Sequence, residues 1–223
     1  MGAGAVHLRW RGRLGLERCP RQLGVGGIVL ALLIVLAPAL ARAEPVVRVG
    51  AGATTVSLVP RTILLDPAGS LSLEQALGRL TSPGAEVRER VASHGYIPDT
   101  LWARVVVEVA PEAAGRWYLS LELPNFDRLQ IFTVPDPAGD PVPFVELGDR
   151  VPEPTDILSR FHIAPIDLPP GRTVLLLRGR TGSTMTVDLK LRKLDALLIE
   201  ERGFFALQSF YLGIAVIFGL SAF

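Results

Sequence analysis

Hydrophobic and polar residues change their period along this chain, and each change marks an element. From Leu101 the period is two: Leu101, Ala103, Val105, Val107 and Val109 fall on one side, and Trp102, Arg104, Val106 and Glu108 on the other. That is the alternation of a strand with one face on a core. Trp117, Leu119, Leu121 and Leu123 alternate with Tyr118, Ser120 and Glu122 in a second run, and residues 129–134 make a third. Further strand-like runs occupy 142–147, 157–163, 173–178 and 184–191, the last with Met185, Val187, Leu189 and Leu191 inward and Thr186, Asp188 and Lys190 outward. Residues 44–60 supply an edge strand, either VVRVG or TTVSLV, and residues 61–66 follow it up to a turn at Pro67-Ala68-Gly69. About eight strands at these intervals predict a mostly β fold, an antiparallel jelly-roll or β-sandwich. One short helix interrupts them over 70–80, where Ser72 and Gln75 have capping-box spacing and Leu73, Ala76, Leu77 and Leu80 recur on one face. Residues 81–99 are polar and read as a long loop into the sheet.

The period disappears at both ends. Residues 204–223, FFALQSFYLGIAVIFGLSAF, hold no charged side chain. At about 1.5 Å per residue this stretch spans roughly the 30 Å hydrocarbon core, so it predicts a transmembrane α-helix. A buried core helix is the alternative, but such a helix would normally keep a polar face. Residues 194–202 contain neither proline nor glycine, so a helical linker, 194–203, is expected to join the sandwich to the span. Residues 1–43 have a basic lead to Arg21, an apolar run over 25–36 and the ending Ala41-Arg42-Ala43. This is the build of a secretory signal peptide cleaved after Ala43, the alternative being an uncleaved signal anchor. The expected plan is therefore a signal peptide over 1–43, a periplasmic sandwich over 44–193, the linker, and a first transmembrane helix over 204–223 running from periplasm to cytoplasm. No lysine or arginine follows the span, so the chain is expected to be truncated within that helix, lacking its further membrane and output modules.

Charge narrows the function. The net charge of +1 conceals six arginines against Glu17 alone in residues 1–43, and the remainder holds 17 basic against 21 acidic residues. The folded part has no net basic field, which argues against nucleic acid as a partner. The single cysteine, Cys19, lies in the predicted leader, so no disulfide or thiolate chemistry is expected of the mature chain. His94 and His162 lack metal-ligand spacing, and neither a G-x-S-x-G elbow nor a phosphate-binding glycine loop occurs. The expectation is a protein without catalytic residues, metal or cofactor.

Binding has candidates. Trp102 and Arg104 share the strand face opposite the valine-rich one, and an aromatic plane beside a guanidinium suits a sugar ring or a carboxylate. Asn125, Asp127 and Arg128 stand at a strand entrance, with Tyr96 in the preceding loop and Arg160 on another expected strand. A purely structural alternative has Trp102 packed under the 61–99 segment and Arg104 paired with a carboxylate that stitches that segment down. Asn125 is the only asparagine, so an amide-rich sugar cleft cannot be built.

Several stretches in order resemble a bacterial family. They are Leu65-Asp66-Pro67-Ala68-Gly69-Ser70-Leu71-Ser72-Leu73-Glu74-Gln75, Leu101-Trp102-Ala103-Arg104, Arg116-Trp117-Tyr118-Leu119 and Asn125-Phe126-Asp127-Arg128-Leu129. Gly148-Asp149-Arg150, Arg160-Phe161, Leu168-Pro169-Pro170-Gly171 and Leu177-Arg178 continue the series. Together, over roughly residues 55–223, they resemble the second type of extracellular domain of seven-transmembrane receptors with diverse intracellular signalling modules. The resemblance implies a periplasmic jelly roll similar to carbohydrate-binding modules, ahead of seven helices and an output such as a diguanylate cyclase, histidine kinase or phosphatase. It implies an inner-membrane receptor that senses a small ligand, carbohydrate or carboxylate, and is compatible with a homodimer. Two other readings stay open: an anchored sandwich that mediates protein contacts without sensing, and, more remotely, an exported hydrolase.

Overall fold

The computed structural model describes residues 44–134 and 140–221. The predicted signal peptide, its cleavage point and the last two residues of the predicted span lie outside the described residues.

Among the described residues, eleven strands form two sheets. They are β1 (Val46–Val49), β2 (Thr55–Ser57), β3 (Arg61–Asp66), β4 (Glu86–Arg88), β5 (Thr100–Val109), β6 (Gly115–Leu121), β7 (Arg128–Val134), β8 (Val142–Leu147), β9 (His162–Leu168), β10 (Gly171–Arg180) and β11 (Leu189–Arg192). Helix α1 covers Leu73–Leu80 and α2 covers Leu194–Ser221. The larger sheet has the order β4-β3-β5-β10-β7-β8, with β1 also on β5, and the smaller has β2-β11-β6-β9. The fold is thus a mostly antiparallel sandwich with one short helix and a C-terminal apolar helix.

The core lies where the two inner faces meet. Leu101, Ala103, Val105, Val107 and Val109 of β5 pack with Trp117, Leu119 and Leu121 of β6 and with Leu175, Leu177, Leu189 and Leu191, as the period of two predicts. The Trp117 indole N–H donates to the Ala113 carbonyl at 2.9 Å, so even this polar atom is satisfied. The outer face of the larger sheet is covered as well. Trp102, Val106, Phe132, Val134, Val174 and Leu176 form a second cluster under Ala76 and Leu80 of α1. Both bonds of the expected capping box are present at the start of α1, Gln75 N to Ser72 Oγ and Ser72 N to Gln75 Oε1.

Four expectations shift. Both candidate edge strands in 44–60 form, and β1 lies parallel to β5, Val46 opposite Val106 through Val49 opposite Val109. On β5, β3 covers the other half, Thr62 opposite Arg104 through Asp66 opposite Thr100, so β1 fills the edge that β3 leaves open. A short strand, β4, forms inside the expected loop. The strand expected at 157–163 lies instead at 162–168 and tolerates Pro165 because β9 is an edge strand. In the last run only Leu189–Arg192 joins the sheet, while Thr184 to Asp188 forms a connection held by one bridge, Ser93 to Thr186.

α2 starts directly after β11 and folds back along the smaller sheet. Near its start the Lys193 ammonium sits 4.1 Å from the centre of the Trp117 ring; two turns later Glu200 and Glu201 reach Arg160 and Ser159, which precede β9. Beyond Glu201 every described residue of α2 is exposed. The apolar helix therefore leaves the sandwich at the end formed by the loops 89–99, 122–127, 148–161 and 181–188. Among the described residues it is the one helix long and apolar enough to cross a membrane, with a mean hydropathy of 1.8.

Candidate functional site

That same loop end carries a recess of about 660 Å3 lined by Pro98, Asp127, Arg128, Arg150, Arg180, Thr181 and Gly182. Its walls follow from strand register. Arg128 opens β7 and Arg180 closes β10, and the two stand directly opposite each other across the antiparallel pair. Arg128 is bonded to Glu146 at 2.9 Å. The Gln130 amide at 2.6 Å and the Arg128 guanidinium hold the Glu146 carboxyl below its usual range, against a smaller opposing effect of burial. Arg180 is exposed and has no carboxylate within salt-bridge distance among the described residues.

Arg150 is brought to the recess by a turn that requires glycine. Gly148 has φ of 138°, and a Cβ there would lie 2.5 Å from the Asp127 carbonyl oxygen and 2.7 Å from that of Phe126. The close approach lets Asp149 N and Arg150 N donate to the Phe126 and Asp127 carbonyls at 3.0 and 3.3 Å. Asp127 is the organising carboxylate: it accepts from Gly182 N at 3.0 Å and lies 3.6 Å from Arg150. Ser183 Oγ donates to the Asn125 carbonyl at 3.0 Å, which ties the remaining loop to the entrance of β7.

The structure gathers some of the expected binding residues and separates others. Asp127 and Arg128 line the recess, whereas Asn125 is not among the lining residues and meets the neighbouring loop only through its carbonyl, which accepts from Ser183. Tyr96 is 80% exposed, two residues before Pro98, and is not among the lining residues. Trp102 and Arg104 share a face as expected, but that face is covered. Trp102 is 0% exposed under α1, with Arg178 at 5.2 Å from its ring, so it offers no plane to a ligand. Arg104 is buried against Glu44, which also bonds Arg172. Burial alone would raise the Glu44 carboxyl, and the Arg104 and Arg172 guanidiniums reverse this and hold it below its ordinary value. The carboxylate that pins Arg104 thus comes from the start of the domain rather than from 61–99. Arg150 and Arg180 were missed by sequence reasoning; Arg150 sits in the Gly148-Asp149-Arg150 stretch, whose glycine was the available signal.

Arg160 belongs to a different place, the joint with α2. Its guanidinium bonds Glu200 at 2.9 Å and lies 4.1 Å from the Phe204 ring and 4.5 Å from that of Phe161. Glu201, 4% exposed, accepts from Ser159 Oγ at 2.8 Å. Arg192, 1% exposed, joins Glu122 at 2.8 Å and Glu200 at 2.7 Å, and Lys190 adds a bond to Glu122 at 3.1 Å. Leu197 is buried at the same joint. The first two turns of α2 are therefore held to β11 and to the loop before β9 by ion pairs of Glu200 and by the buried Glu201 carboxylate, with buried Leu197 beside them.

A sandwich joined to an apolar helix of membrane-span length has the build of a membrane-anchored extracellular domain. The model of the family 7TMR-DISM extracellular 2 matches residues 61–193, and the chain belongs to that family. No curated protein matches the chain.

Proposed function

We propose that residues 44–193 form the periplasmic ligand-sensing domain of a bacterial inner-membrane receptor. Residues 1–43 direct its export, and α2 is the first helix of a membrane bundle that leads to a cytoplasmic output module. The observation that carries the sensing reading is a single loop. Residues 148–161 place Arg150 in the recess at one end and Ser159 and Arg160 on Glu201 and Glu200 of α2 at the other. A ligand that repositions Arg150 then changes the loop that grips the membrane helix, which gives occupied and empty states different helix contacts.

The test uses the full chain in lipid nanodiscs, screened by thermal unfolding against sugars, organic acids and peptides. Backbone hydrogen exchange of residues 194–203 is followed with each hit. Sensing predicts a small molecule that raises the melting temperature and alters protection in that segment. The competing reading, an anchored sandwich that only holds other proteins, predicts no small-molecule effect together with a defined protein partner.

A further inference from the structure

Two guanidiniums at directly opposed strand positions are mutually destabilising, and sheets normally relieve such a pair with carboxylates. Here the relief is partial. Glu146 serves Arg128, Asp127 is shared between Arg150 and the Gly182 amide, and Arg180 has no carboxylate among the described residues. Gly148, in a conformation other residues rarely adopt, brings a third guanidinium to the same recess. Three forked donors converging on a cavity in the size range of small-ligand sites match the geometry of an oxyanion.

We propose that this recess binds an anionic group, a phosphate or a carboxylate, held by Arg128, Arg150 and Arg180. The proposal rests on the sensing reading above and specifies the ligand chemistry for it. The recess lies at the end from which α2 departs, so the group can come from two sources: a soluble metabolite-sized anion, or the phosphate of a lipid in the bilayer that holds α2.

Full-length chain in phosphatidylcholine nanodiscs is titrated with citrate, inorganic phosphate, galacturonate and galactose, with unfolding followed by tryptophan fluorescence. Concentrations stay below about 10 mM, where general salt exclusion contributes little. A second arm compares phosphatidylglycerol with phosphatidylcholine nanodiscs without added ligand. The expected result is a saturable rise in melting temperature with at least one soluble anion, or a higher melting temperature in phosphatidylglycerol; the arm that responds identifies the source. Arg180→Gln weakens the response at least tenfold, and Arg150→Gln does the same. Because Arg180 is exposed, its replacement leaves the fold intact, and by removing the opposed charge it slightly raises the melting temperature of the unliganded chain. No response in either arm, or an undiminished response in Arg180→Gln, overturns the proposal. A rise with galactose equal to that with galacturonate, unchanged by Arg180→Gln, also overturns it while leaving small-ligand sensing standing.

Discussion

Replacing Arg192 by methionine tests how the sandwich grips α2. Methionine keeps the apolar stem of Arg192, a residue only 1% exposed, and removes only the guanidinium, which serves two carboxylates. Those carboxylates are not equivalent. The Glu122 side chain is 11% exposed, and after the change it retains Lys190 at 3.1 Å and the Ser120 hydroxyl at 2.6 Å. Glu200 is 43% exposed and can turn to water or keep Arg160. Removing one member of a buried pair costs about 3–5 kcal/mol when the other is stranded, and the partners left to Glu122 reduce this to about 2–3 kcal/mol. For a chain of this size that corresponds to a fall of about 4–12 °C in melting temperature. Double-mutant cycles sharpen the point: coupling of Arg192 to Glu122 should exceed ~1.5 kcal/mol, whereas coupling to exposed Glu200 should stay under ~1 kcal/mol. Thermal unfolding in nanodiscs measures all three. A fall equivalent to less than ~1 kcal/mol, or equal couplings, would refute the view that the buried Arg192–Glu122 pair, rather than the exposed contact to Glu200, carries the stabilisation at the foot of α2.

Three further outcomes follow from the same geometry. Gly148→Ala forces a Cβ onto the Asp127 and Phe126 carbonyls and should cost about 2–4 kcal/mol in denaturant unfolding, a loss that Asp149→Ala does not reproduce. Trp102→Ala, beneath α1, should cost about 3–5 kcal/mol, as a packing residue does, while any recess ligand binds the folded fraction with unchanged affinity. The folded-state carboxyls of Glu44 and Glu146 lie below their ordinary values, so the stability they contribute is fully present above the ordinary glutamate range and is lost as pH falls from that range through the lower folded-state values. Chemical unfolding at pH 7 and in mildly acidic buffer should show the decline, and Glu44→Gln should flatten it; an identical slope in that variant would count against the Arg104–Glu44–Arg172 link.

The elements that were legible in the sequence are those whose pattern is local. β5, β6 and α1 announce themselves because burial of one face imposes a fixed period on neighbouring residues, and the Ser72–Gln75 capping box needs only four residues to be recognised. β9 was misplaced because its inward positions include Ala164 and its interior holds Pro165, both poor strand signals. Of the two readings of Trp102, the packed one holds: a two-sheet pattern leaves the outer face of β5 open, and α1, from within 61–99, covers it as a third layer. The site was half legible for a related reason. Asp127 and Arg128 are adjacent in sequence, whereas the opposition of Arg180 to Arg128 depends on register across 52 positions and the placement of Arg150 on one backbone turn. Arg160 acts on glutamates some 40 positions away, a separation no local pattern encodes.

The account turns on whether the loop 148–161 carries recess occupancy to α2. Spin labels at Leu158→Cys and Ile199→Cys, both exposed sites, report the distance between that loop and the helix in nanodiscs, with Cys19 replaced by serine. Whichever of citrate, inorganic phosphate, galacturonate or phosphatidylglycerol raises the melting temperature should, at saturation, shift the distance distribution, and Arg150→Gln should abolish the shift. A saturated thermal response with an unchanged distribution would contradict the account.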